Sequence, residues 1–533
     1  MNSLVVLAVC VLVFAWGWRV YGRRLQKLYG IDPSLATPSK TKFDGLDYVP
    51  AKHWLVLFGH HFSSIAGAGP IVGPVIACTI WGWAPTLVWV VIGSVFFGAV
   101  HDFGALAISV KEGGDSLSSV AAKVISKRAC YIFGIFVWLA LLLVIAVFLY
   151  LCADTFVQEP KIILPSLGLI PVAMVVGYLL YVVKTNQTAV TVFGLGSLVV
   201  LLVAGQMLSP AGTSFSVWAV ILLVYCFLAS ILPVNILLQP RDYLSSFLLF
   251  FGMAAGFAGL FITRPNMALP AFIGFNSKEG ALWPMLFITV ACGAISGFHS
   301  LIASGTSSKQ IANERDIKKV GYGAMITEGL LAVMVVLAVA AGLGRAALGD
   351  SSGPIVIFGK AYGAVTLPFM GSYGQAIALI ILNAFILTTL DTATRISRYL
   401  TEELFGIKNR FLSTGIIIVV SGWLALAKDA ANTPLWKKLW PAFGASNQLV
   451  AALALFVMSC WLLFKNKPNK ITLYPAIFML VTTVAALFYQ TNMYAKKGDV
   501  LLVLISSVLI VLAAVMTMEV VKIYRNKKPA AGL

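Results

Sequence analysis

Apolar residues in this chain come in long runs, each about as long as a membrane-crossing helix. A hydrocarbon core about 30 Å thick needs roughly 20 residues of helix. On that measure the pattern predicts spans at 2–22, 53–80, 83–110, 130–151, 163–183, 187–208, 215–238 and 242–263. They continue at 283–304, 320–343, 373–396, 411–428, 447–464, 471–490 and 499–521, about fifteen in all. Lys360 interrupts the stretch 353–370, which reads as a re-entrant or amphipathic piece. The expected fold class is all-α, a polytopic membrane protein forming one domain over 1–533. It has a cytoplasmic loop at 23–52, and 465–533 supplies the C-terminal helices.

Composition agrees with that pattern and removes other classes. The chain is 60% hydrophobic and 11% charged, with a mean hydropathy of +0.93. Soluble domains run nearer 45–50% apolar with about a quarter charged, so a water-soluble enzyme is excluded. The net charge of +18 would suit nucleic acid in a soluble chain. Here its placement matters more. With the N-terminus outside and the loops alternating, 28 of the 38 Lys and Arg fall on the cytoplasmic side, as the positive-inside rule expects. The apolar run Leu4–Trp18 precedes Arg19, Arg23, Arg24 and Lys27. A secretory signal has the opposite order, so this is a retained first span. The expected placement is multi-pass in the cytoplasmic membrane, N-terminus outside and C-terminus inside.

No loop is long enough for a nucleotide-binding domain. Gly353 to Gly359-Lys360 has five residues between its glycines where a P-loop has four, and Ala361 follows the Lys. An ATP-driven pump is therefore excluded. The seven cysteines are scattered and never form a C-x-x-C pair, so neither a disulfide framework nor a zinc site is expected.

The chemistry lies where the apolar pattern fails. Span 53–80 contains His60-His61-Phe62-Ser63-Ser64, then Gly67, Gly69-Pro70 and Gly73-Pro74. Proline removes a backbone donor and clashes with the preceding turn, so this helix is expected to unwind. Secondary transporters build midplane sites from such discontinuous helices. The alternative is a proline kink with Gly69-x-x-x-Gly73 as a packing face. Span 283–304 resembles it, with Ser296-Gly297-Phe298-His299-Ser300 leading to Ser304-Gly305. Both spans hold His, five residues, then Gly: His61 to Gly67 and His299 to Gly305. The second lies seven spans after the first, so the two run in opposite directions, as in inverted repeats.

Intramembrane ionisable groups usually face a cavity or pathway. His60, His61, His101, Asp102, His299, Glu328 and Asp391 all fall in spans. Asp391, among Thr388, Thr389 and Thr392, either binds Na⁺, carries a proton, or pairs structurally with Arg395 one turn on. For the histidines, proton coupling competes with a satisfied interior role. A His/Asp metal site lacks diagnostic spacing. Gln239-Pro240-Arg241-Asp242-Tyr243 reads as a charged cytoplasmic turn, and Trp440-Pro441 to Asn447-Gln448 as the opening of a span. There Asn447 and Gln448 either cap the helix or bond a neighbouring span.

Taken together, these clusters resemble the carbon starvation protein (CstA) family, in order and in five places between about 50 and 460. They are His60-His61-Phe62 through Gly73-Pro74, Gln239–Tyr243, Gly297-Phe298-His299-Ser300 through Gln310, Thr388–Arg395, and Asn447-Gln448-Leu449. The resemblance implies a secondary transporter similar to the amino acid–polyamine–organocation superfamily, with a LeuT-like inverted-repeat core. It also implies uptake of short peptides or pyruvate, associated with carbon starvation.

The expected substrate-binding residues are His61, Ser63, Ser64, Gly67, Gly69, Gly73, His299, Ser304 and Gly305. The expected ion-coupling residues are Asp391, Thr388, Thr392, His61, His101 and Asp102. The coupling ion is H⁺ or Na⁺, and no cofactor is expected. Expected partners are a small-molecule substrate and membrane lipid, without nucleic acid. A Na⁺-coupled amino acid or carboxylate transporter is the alternative. A channel, a membrane metallohydrolase or a sensor fits less well, for want of polar rings, an H-E-x-x-H cluster or a signalling domain.

Overall fold

In the lipid interior every backbone polar group must find a partner within the chain, and helices achieve this locally. The computed structural model accordingly is a helical bundle. It describes all residues except 209–212, 278, 349–352, 429–434 and 527–533, and the side chains of 435–441. Among the described residues, eleven helices are long and apolar enough to cross a membrane. The bent pair Trp54–Ile65 and Gly69–Trp81 makes a twelfth.

The other expected spans correspond to two shorter helices, Phe215–Ile231 and Arg410–Leu426, and an interrupted pair, Leu282–Thr289 and Gly297–Gly305. All fifteen apolar runs are thus helical, whereas crossing by length and composition covers eleven or twelve. The stretch at 353–370 is the helix Pro354–Met370. The first helix extends through Tyr29, so part of the expected 23–52 loop is helical.

Small polar residues set the helix starts. Asn2, Ser116, Ser126, Asn186 and Asn409 each accept a hydrogen bond from a first-turn N–H, satisfying a donor that has no partner within the helix. Gly30 and Gly406 end helices at φ 65° and 69°, where a Cβ would be strained.

Burial separates core from periphery. Within the most apolar windows, 89% of residues are buried in Tyr373–Phe405 and in Ala442–Phe464. The figure is 22% in Gln187–Met207 and 28% in Val500–Asn526. The last two present apolar side chains outward, as lipid-facing helices do.

Candidate functional site

The two interrupted spans pack against each other at their breaks and run antiparallel. His60 Nε2 lies 3.3 Å from Thr306 Oγ1, and His61 Nδ1 lies 2.8 Å from Ser307 Oγ. Further on, a Cβ at Gly69 would strike Cys292, and one at Gly73 would strike the Thr289 carbonyl. Numbering rises along one strand of contacts as it falls along the other. The glycines permit this approach, and the opposed directions follow.

The second break, 290–296, frees backbone groups that must be satisfied internally. Trp89 Nε1 donates to the Val290 carbonyl at 3.1 Å, and Ser94 Oγ to that of Gly293 at 3.1 Å. Gln448 Nε2 donates to the Ile295 carbonyl at 3.0 Å, and the Phe298 N–H donates to Asn447 Oδ1 at 2.9 Å. Asn447 and Gln448 therefore do not cap their own helix, which begins at Leu435. They stitch a neighbouring break.

Two buried ionic clusters flank the crossing. In the first, Arg241 reaches Asp391 Oδ2 at 2.5 Å, and the Tyr225 hydroxyl donates to the same oxygen at 2.5 Å. Arg241 also donates to Thr388 and to Tyr225. Asp242 Oδ2 lies 2.6 Å from His60 Nδ1. This corrects two expectations. Residues 239–243 are not an exposed turn but the buried start of the helix Leu238–Thr263. Asp391 does not pair with Arg395, although the two share a helix face. Arg395 Nη1 instead donates to Asp47 Oδ1 at 2.7 Å, and Arg398 Nη2 to Asp47 Oδ2 at 2.8 Å. Burial alone would raise the Asp47 carboxyl. The Arg395 and Arg398 guanidiniums, with Lys309, outweigh it and hold the group down to about 2.

The second cluster joins Asp102, His101, His299 and Glu328, all fully buried. Asp102 Oδ1 lies 2.8 Å from His101 Nδ1, and Oδ2 lies 3.1 Å from His299 Nδ1. His299 Nε2 lies 3.4 Å from Glu328 Oε2, and neither Glu328 oxygen has a hydrogen-bond partner. His61 Nε2 and His101 Nε2 also lack partners. No group of three or more His, Cys, Asp or Glu able to hold a metal occurs among the described residues.

A cavity of about 370 Å³ is lined by Ser304, Gly305 and Lys309, and another of about 120 Å³ by Gly69, Gly73 and Cys292. A small void between them shares Leu301 with the first and Phe443 with the second. Of the expected substrate residues, Ser304, Gly305, Gly69 and Gly73 reach these two cavities. His61, Ser63, Ser64, Gly67 and His299 line neither. Ser63 Oγ donates to the Asp242 carbonyl at 3.1 Å, and Ser64 Oγ lies 3.1 Å from Thr392 Oγ1. Gly67 faces Thr389 and Phe148.

At the two breaks Asn447 accepts from the Phe298 N–H, and Cys292 lies against Gly69. Sequence reasoning placed Arg241, Glu328, Asp47 and Lys309 outside the site. A charged residue within an apolar run was the available signal for Glu328. Arg241 and Lys309 fall within the family-like clusters Gln239–Tyr243 and Gly297 through Gln310, and nothing local marks Asp47.

Opposed broken helices crossing beside buried ionic clusters, in an otherwise apolar bundle, define a multi-pass secondary transporter. The fold comparison agrees. A manganese transporter of Eremococcus coleocola, in complex with an aromatic bis-isothiourea substituted compound, superposes with a TM-score of 0.52 at 12% identity, covering 90% of this chain and 99% of its own. MhsT in complex with L-phenylalanine gives 0.52 at 10% identity, covering 87% and 99%. Both are LeuT-fold transporters.

The family model described as "Carbon starvation protein CstA" matches residues 2–349 and 340–486, and the chain belongs to that family. Among its relatives, the peptide transporter CstA of Bacillus subtilis is 31% identical over 98% of this chain and 97% of its own. The pyruvate/proton symporter BtsT of Escherichia coli K12 is 31% identical over 93% and 84%.

Proposed function

We propose that this chain is a proton-coupled importer of a small carboxylate-bearing nutrient, a short peptide or pyruvate. In this reading it lies in the cytoplasmic membrane with its N-terminus outside and C-terminus inside. The observation that carries the reading is the crossing of the two broken spans, with a cavity on either side of it and the Asp102–His299–Glu328 cluster alongside. Family membership supports it, since one relative bears the name of a proton symporter and others the name of peptide transporters.

Rocking of one half against the other would open the smaller cavity as the larger one closes. Leu301, Phe298 and Phe443 stand between them. The buried imidazoles and carboxyls provide a proton site that needs no bound metal. A Na⁺ site at Asp391 is disfavoured, because the Arg241 guanidinium, shared with Asp242 at 3.2 Å, lies against that carboxylate and repels a second cation. Asp391, Thr388 and Thr392 then fix the packing of the helices, and His61, His101 and Asp102 remain on the coupling side.

The test is labelled pyruvate and dipeptide uptake by cells lacking their own systems, with and without a protonophore. Accumulation of at least one substrate that collapses with the proton gradient is expected. Accumulation indifferent to the protonophore overturns proton coupling.

A further inference from the structure

Among the described residues, Lys309 is the one cation lining the 370 Å³ cavity, and its surroundings are unusual for an ammonium group. Its residue is 9% exposed, and its Nζ sits 3.6 Å above the Tyr399 ring centroid and 5.4 Å from that of Tyr48. Among the described residues no carboxylate comes within ion-pairing distance of it and no hydrogen bond satisfies its three donors. Asp47, the strongest acidic influence on it, is already engaged by Arg395 and Arg398. Burial pushes the amine down to about 8, so it stays mostly protonated at neutral pH. The two rings offset part of the cost of burying that charge, and an anionic group in the cavity would offset more.

The same cavity also carries the opposite charge. Glu403 is exposed at its edge and accepts hydrogen bonds from Ser116 at 2.8 Å, from Ser118 at 3.3 Å and from Ser119. Glu402 also lines it, 3.8 Å from Arg398. Asp115 is paired with Lys123 at 2.8 Å. A simple monoanion entering here meets one ammonium and an excess of carboxylates. A ligand carrying both charges finds a partner for each. The volume falls in the range that encloses a ligand larger than a three-carbon acid.

We infer that this cavity is a binding site for a zwitterionic short peptide, whose free carboxylate pairs with Lys309 and whose free ammonium faces Glu402 and Glu403. The inference rests on the transport reading for its occupant, and it gives roles to Lys309, Glu402 and Glu403, which are not among the expected site residues.

The test is equilibrium binding to the purified full chain in detergent. The ligands are alanyl-alanine, its C-terminal amide, its N-acetyl form, and pyruvate. Wild type is expected to bind the free dipeptide best, with each blocked form weaker by about tenfold or more, as for a lost charge-assisted hydrogen bond. Lys309→Met should weaken the free dipeptide by a similar factor and abolish the distinction between acid and amide, while Lys309→Arg keeps it. Glu402→Gln with Glu403→Gln should abolish only the distinction against the N-acetyl form. Melting temperatures near wild type confirm that the variants fold.

The site assignment is overturned if wild type binds acid and amide alike, if Lys309→Met binds the dipeptide like wild type, if pyruvate binds and the dipeptide does not, or if none binds. Each of these results leaves the transport reading standing when uptake in cells still collapses with the proton gradient. Loss of that proton dependence fails the transport reading separately.

Discussion

Removing the Asp47 carboxylate should release the segment 42–53 from the end of the bundle. Asp47 lies on that connection and receives Arg395 and Arg398 from the helix Tyr373–Phe405 at 2.7 and 2.8 Å. Arg395 also donates to the Ala229 and Leu232 carbonyls, so one carboxylate ties three parts of the chain. A free aspartate titrates near 3.9, and here the group is held at about 2. That lowering corresponds to roughly 2–3 kcal/mol, or on the order of 30- to 100-fold in an equilibrium constant. Because the folded value is depressed, this stabilisation is fully present above about pH 4 and is lost as pH falls through about 2.

Asp47→Asn tests the magnitude at neutral pH. The Ala51 N–H donates to the Gln310 carbonyl at 2.9 Å, so its exchange with deuterium reports opening of the segment. Local opening sets such exchange rates, and the variant should exchange at 42–53 on the order of 30- to 100-fold faster, with distant helices unchanged. Equal protection in variant and wild type refutes the account of this ion triad.

Four further outcomes follow from the geometry. Gly73→Ala would drive a methyl into the Thr289 backbone carbonyl, and overpacking of this kind costs about 1–3 kcal/mol. The control Gly196→Ala meets nothing within 4 Å, so detergent melting curves should separate the two. Asn447→Leu leaves the Phe298 N–H without its acceptor, and the melting curve should register a loss of about 1–3 kcal/mol. Asp391→Leu leaves the buried Arg241 with Asp242, 3.2 Å away, as its remaining carboxylate, and the melting curve should register a loss of about 1–3 kcal/mol, as for a lost buried charge-assisted hydrogen bond; wild-type stability contradicts this account of the cluster. Glu328→Gln should retain the wild-type melting temperature, since neither carboxyl oxygen holds a hydrogen bond, while losing proton-driven accumulation; full accumulation removes Glu328 from the coupling path.

The helices were legible because lipid imposes a strong local pattern, and the breaks because proline and glycine interrupt it. The opposed directions of 53–80 and 283–304 came from counting spans, and the contacts from His60–Thr306 to Gly73–Thr289 bear this out. Long-range partners were not legible. Asp391 and Arg395 satisfy the spacing of a helical ion pair, but that arrangement is worth only about 0.2–0.5 kcal/mol. Burial selects stronger partners, Arg241 150 positions away and Asp47 348 positions away. For the same reason Gln239–Tyr243 reads as a turn by charge, whereas its charges are internal and compensated. Phe215–Ile231, Arg410–Leu426 and the interrupted pair are helical where the apolar runs placed them, but each helix is shorter than the run that predicted it.

The central claim is proton-driven transport through a path between the two broken spans. Its most direct measurement uses the full chain in sealed proteoliposomes with an imposed pH gradient and a pH-sensitive dye inside. With substrate and acid on the side of the smaller cavity, the account predicts substrate accumulation accompanied by inward proton movement, both abolished by a protonophore. Accumulation without proton movement, or accumulation that requires a sodium gradient instead, contradicts it.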